Sequence, residues 1–120
     1  MEKVHRRLEV WRRSVDLVTE VYRLTEAFPE RERYTLSSQM RRSAVSMPSN
    51  MVEGAARNTR KEFVNFLHMA QASLIEPDIK LEIAPRLGYL EGSGFSKLEN
   101  TMQQVDKILS GLIKSLKKKE

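Results

Sequence analysis

Apolar residues recur every three or four positions along most of the chain, the period of amphipathic helices. Leu8, Trp11, Val15, Val18, Tyr22 and Thr25 form one row, and Leu17, Val21, Leu24 and Phe28 form a second. Together they predict a helix over residues 8–27. Two rows on one helix imply a central place in a bundle or contact with another subunit. Phe28-Pro29 ends it, because a residue before proline avoids helical dihedrals. A second helix over 33–56 buries Leu36, Met40, Ala44, Met47, Met51 and Ala55, with the methionines as core or subunit interface. Beside this face runs a polar stripe of Arg42, Ser46, Asn50, Glu53 and Arg57. Pro48 removes one amide donor from this helix and predicts a kink.

The third helix, 59–90, opens on the capping box Thr59-Arg60-Lys61-Glu62. Phe63, Phe66, Leu67, Ala70, Leu74 and Leu81 line its buried face. Pro77 and Pro85 each cost about 3 kcal/mol in a helix interior, so its C-terminal half is predicted to kink or break. Gly88 and the loop Glu91-Gly92-Ser93-Gly94 complete a hairpin. A second capping box, Ser96-Lys97-Leu98-Glu99, starts a fourth helix over 96–117. Its stripe of Leu98, Met102, Val105, Leu109, Leu112 and Leu116 keeps heptad spacing. No segment alternates as a strand. The expected fold is all-α: a single antiparallel up-down four-helix bundle over residues 1–120.

At 120 residues there is room for one modest core. The absence of cysteine excludes disulfides, thiol catalysis and thiolate metal sites. Neither a signal peptide nor a run of about 20 apolar residues is visible, so a cytoplasmic protein without membrane partners is expected. The net charge of +5 favours polyanions. Its cations are clustered: Lys3, Arg6, Arg7, Arg12 and Arg13 at the first helix, Arg57, Arg60 and Lys61 after the second, and Lys114, Lys117, Lys118 and Lys119 in the tail. A solvated face and a binding surface both fit this clustering.

Catalytic inventories fall short. A di-iron site in a bundle needs two Glu-x-x-His motifs, and Glu2-Lys3-Val4-His5 is the only match; His68 has Asn65 three residues before it. The glycines form no phosphate-binding loop and no serine sits in a nucleophile elbow. No metal, no cofactor and no enzymatic activity are expected. The adjacent Arg41 and Arg42 are the first candidates for function. Taken singly, each is more simply explained by pairing within or between subunits. Taken together on several subunits, their guanidinium forks suit phosphates. Ser46 and Asn50 are expected to serve the backbone groups freed by Pro48. Glu53 is expected to pair with Arg57, and Gly54 to help end the helix.

Gln39 to Gly54, Q-M-R-R-S-A-V-S-M-P-S-N-M-V-E-G, resembles the pattern Q-x-R-R-A-x-x-S-I-P-x-N-I-A-E-G. That pattern marks the four-helix bundle family associated with intervening sequences of bacterial 23S ribosomal RNA genes. The resemblance extends to Leu8-Glu9-Val10-Trp11, to Phe28-Pro29 with Glu32 and Leu36, to Glu62-Phe63 with Phe66-Leu67 and Ala70, and to Leu87-Gly88-Tyr89-Leu90. It departs at Pro77, where the family usually has leucine, and at Pro85. The resemblance implies a homopentameric ring with a basic surface suited to nucleic acid. A similar fold serves as the accessory protein of diversity-generating retroelements, where the ring engages a reverse transcriptase. The resulting expectation is a non-catalytic oligomer, self-associating as a pentamer, that binds RNA or DNA backbone through Arg41, Arg42, Arg57, Arg60 and Lys61, with Arg12 and Arg13 next. A protein-interaction scaffold is the alternative, with the second apolar row of helix one outside the bundle and carrying the contact.

Overall fold

A computed structural model describes residues 4–74, 83–89 and 92–118. Four long helices, α1 (Val4–Glu26), α2 (Leu36–Ala55), α3 (Arg60–Ala72) and α4 (Gly92–Lys117), make the bundle. A 3-10 turn, Glu30–Glu32, joins α1 to α2. Among the described residues there is no strand, and no helix is long and apolar enough to cross a membrane.

Each neighbouring pair of helices runs antiparallel, as the side-chain pairings show. Ser14 Oγ meets Met51 Sδ at 3.7 Å, whereas Arg41 Nε reaches Thr25 Oγ1. Gly54 packs against Phe63 and Phe66, while Ser46 Oγ meets Ser73 Oγ. Gln71 bonds Asp106 and Ser110, and Arg13 and Glu20 of α1 reach Gln104 and Lys97 of α4. The start of α1, the end of α2, the start of α3 and the end of α4 therefore share one end of the bundle.

The predicted stripes of the second and fourth helices are core. Leu36, Met40, Ala44, Met47 and Met51 are buried, as are Leu98, Met102, Val105, Leu109, Leu112 and Leu116. Ala55 is exposed, because α2 ends there. The second row of α1 faces mainly into the bundle, not outside it as the scaffold alternative required. Leu17, Val21 and Phe28 of the second row, joined by Val10 and Ser14 and by Thr25 of the first row, are buried, while Leu24 of the second row is half-buried. Of the first row, Trp11 and Tyr22 face outward and Val15 and Val18 are half-buried.

Several boundaries differ from the sequence expectation. α1 begins at Val4 rather than at 8. α4 begins at Gly92, so Gly92, Ser93 and Gly94 are helical and Ser96 lies inside the helix instead of capping it. Two glycines cost about 1 kcal/mol each, a small charge against propagating a helix whose later turns are packed. α3 does not run on to 90: it ends at Ala72, and the Ser73 amide closes it on the Met69 and Ala70 carbonyls. Pro77 and Leu81 lie outside the described residues.

Pro85 lies in a helical stretch of which residues 83–86 are described. That stretch ends in a Schellman pattern, with Gly88 N donating to Pro85 O at 3.0 Å and Tyr89 N to Ala84 O at 2.9 Å. Gly88 stands at φ 77°, a conformation glycine adopts without penalty. α2 continues through Pro48.

Candidate nucleic-acid interface

Thr59 caps α3 as its sequence implies: its Oγ1 accepts from the Glu62 amide at 3.1 Å. The hydroxyl in turn donates to the Glu62 carboxylate at 3.1 Å. This cap fixes Arg60 and Lys61 in the first turn of α3, next to the end of α2. Gly54 is inside α2 and does not terminate it. A Cβ there would lie 2.6 Å from Phe66 Cβ and 3.0 Å from Phe63 Cδ1, so the residue is small to let α3 approach. Glu53 pairs with Arg57 at 2.6 Å, and Arg57 also lies over the Phe66 ring at 4.8 Å. The Asn50 amide nitrogen donates to the Ser46 carbonyl at 2.8 Å, not to the Ala44 carbonyl whose partner Pro48 removes.

The adjacent arginines separate. Arg41 is half-buried; its Nε donates to Thr25 Oγ1 at 2.7 Å and its guanidinium lies 4.7 Å from the Tyr22 ring centroid. Thr25 is itself buried. Arg41 thus ties α2 to α1, and its planar fork is already committed. Arg42 is exposed, and among the described residues its bond is to its own helix, through Ser38 Oγ at 3.1 Å. Both stand near the start of α2, about 24 Å along the helix axis from Arg57 at 1.5 Å per residue. They form no patch with Arg57, Arg60 and Lys61.

What gathers instead is a pole. The antiparallel topology brings Arg57, Arg60 and Lys61 to the end of the bundle where α4 finishes with Lys114, Lys117 and Lys118. Those six cations face two carboxylates in the same segments, Glu53 and Glu62, each already engaged. Arg12 is exposed on the half of α1 nearest this end, and Arg13 bridges Glu9 at 3.5 Å and Gln104 at 2.9 Å. At the opposite end charges alternate, with Glu26, Glu30 and Glu32 among Arg23, Arg31 and Arg33. The α4 lysines are legible in the sequence only as a tail cluster. Their neighbours become visible once the helix directions are known.

A second feature lies along α1 and α2. Trp11 and Tyr22 are 40% exposed, Val45 40% and Val52 57%, with Val15, Val18 and Pro48 half-buried. Positions 11, 15, 18 and 22 of α1 and 41, 45, 48 and 52 of α2 step by three or four along antiparallel helices as a ladder, which ends where Arg41 covers Tyr22.

The other end has its own lock. Glu32 accepts from Thr35 Oγ1 and, at 2.8 Å, from Tyr89 Oη. These bonds, Thr35 first, hold its carboxyl below the usual range. Among the described residues no group of three or more His, Asp or Glu side chains could hold a metal.

The family model of the 23S rRNA-intervening sequence protein matches residues 6–111. A crystal structure of a protein of unknown function from the S23 ribosomal protein family of Bacteroides thetaiotaomicron superposes with a TM-score of 0.82. The two share 23% identity, covering 91% of this chain and 98% of that one. No curated protein matches the chain.

Proposed function

The chain belongs to the 23S rRNA-intervening sequence protein family, and from that premise we propose that it is a non-catalytic bundle that binds the RNA or DNA backbone through its basic pole. The observation that carries this reading is the meeting of Arg57, Arg60 and Lys61 with Lys114, Lys117 and Lys118 at one end, where few carboxylates compete. Cations so placed attract phosphates and release their counterions, which makes binding fall steeply with salt. No groove-reading or base-stacking module accompanies them, so the contact is with the backbone.

Arg41 is a structural residue in this reading, and Arg42 stands away from the pole. The test is binding of RNA and duplex DNA across a salt series, with substitutions at the pole compared with Arg42→Gln.

Self-association completes the proposal. The exposed α1–α2 ladder is the surface that a second copy covers, and a pentamer is the assembly the family resemblance implies. Copies of one weak basic pole on a rigid ring raise avidity without new contacts. The same ladder supports a second reading, a scaffold that recruits a protein partner such as a reverse transcriptase. That reading puts function on apolar surface and leaves the pole as a solubilising face.

A further inference from the structure

Two grooves flank α4, and their charges differ. The groove between α1 and α4 is lined by Arg13, Asp16, Glu20, Arg23 and Lys97. Its two carboxylates offset all but one of its three cations, and Lys97 Nζ stands 3.9 Å from Glu20 Oε1. The groove between α3 and α4, about 460 Å³, is lined by His68 and Gln71 from α3 and by Ser110, Ile113, Lys114, Lys117 and Lys118 from α4. Among the described residues no carboxylate lines it. Asp106, the next acid up α4, is held by Gln71 Nε2 at 3.0 Å, and Gln71 also donates to Ser110 at 2.8 Å. This bridge closes the groove toward the middle of the bundle. The other end opens onto the basic pole.

Lysines in a last turn are favoured by the helix dipole without any ligand. That explains their place along α4 but not the absence of acids from the facing wall on α3. Lys114 and Lys118 are one turn apart, about 6 Å along the axis, so they present ammonium groups in a row. The floor carries the apolar Ile113, and the exposed ring of His68 offers a flat face to an unstacked base. Packed helix axes lie about 8–10 Å apart, so the surface groove over their seam is narrow: a single strand can lie along it, whereas a duplex is too broad to seat in it.

We propose that the α3–α4 groove holds one nucleic-acid strand, with Lys114, Lys117 and Lys118 on successive phosphates and His68 beside a base. This rests on the backbone-binding reading and adds to it a site and a preference for unpaired strand.

The test is fluorescence anisotropy of a labelled single-stranded RNA, and of the same sequence as a blunt duplex, titrated with the full chain across a salt series. Wild type is compared with Lys114→Gln/Lys117→Gln/Lys118→Gln and with Arg12→Gln/Lys61→Gln, after circular dichroism shows unchanged melting. The strand is expected to bind more tightly than the duplex. The triple variant should lower the salt slope by about 2, at about 0.7 per strand phosphate, and weaken low-salt binding about tenfold or more. The Arg12/Lys61 variant should lose less. If wild type binds neither nucleic acid, the backbone reading itself falls. If wild type binds but prefers duplex, or the two variants lose equally, the groove is overturned while that reading stands. Inorganic tripolyphosphate is expected to displace the strand only weakly; binding as tight as the strand's would make this a small-anion site and overturn the proposal.

Discussion

The Tyr89 hydroxyl donates to Glu32 Oε2 at 2.8 Å, joining the segment that follows residues 83–86 to the connection between α1 and α2. Phe28 stands 5.5 Å from the Tyr89 ring and Arg31 lies over it at 5.6 Å, so one tyrosine fastens the end of the bundle opposite the basic pole. Glu32 takes its second hydrogen bond from Thr35. A carboxyl held below its unfolded value of 4.5 stabilises the folded state above that pH. The contribution is lost as pH falls through the lower folded value. Melting temperature followed from pH 7 to pH 3 should therefore drop below about 4.5, and Tyr89→Phe should make that drop shallower. An unchanged acid profile in Tyr89→Phe would remove Tyr89 from the account.

Gly54→Ala tests the close approach of α2 and α3. Alanine gains about 1 kcal/mol of helix propensity, but its Cβ would meet the Phe66 Cβ at 2.6 Å. Both atoms are rooted in helix backbone, so relief requires the helices to part, at about 1–3 kcal/mol. Chemical denaturation should show a net loss of stability. A gain would mean that the helices separate freely.

Arg41 and Arg42 should behave oppositely although they are neighbours. Arg41→Lys keeps the charge but loses the Nε bond to Thr25 and the planar stack on Tyr22. It should cost about 1 kcal/mol or more of stability. Arg42→Ala should stay within about 0.5 kcal/mol of wild type, as exposed substitutions do. Denaturation midpoints of the two variants measure the contrast directly.

The exposed ladder predicts assembly. Light scattering should give a mass that is a multiple of the 13.9 kDa chain. Val45→Glu/Val52→Glu should reduce that mass, because a charge buried at an apolar contact is strongly disfavoured. A wild type that stays monomeric at all concentrations would contradict self-association and leave the ladder to another partner.

The stripes of α2 and α4, with the cap at Thr59, were legible in the sequence because strict apolar spacing and a Thr-x-x-Glu signature leave little room for another reading. The orientation of α1 was not. Both rows are largely apolar, and periodicity cannot say which faces the core; Ser14, in register with the second row and buried against Met51 of α2, decides it. Gly54 has the spacing of a terminator and works as a contact, a distinction that depends on Phe66 in another helix. The basic pole joins residues nearly sixty positions apart, so sequence clustering shows its parts while helix direction supplies the whole.

The most direct measurement is the slope of log K against log salt for RNA binding, in wild type, Lys61→Gln/Lys117→Gln and Arg42→Gln. The account predicts a steep negative slope for wild type, a slope flatter by about 1–2 for the pole variant at 0.7–0.9 per phosphate contact, and no change for Arg42→Gln. No binding at low salt, or a slope that falls with Arg42→Gln and not with the pole variant, would contradict it.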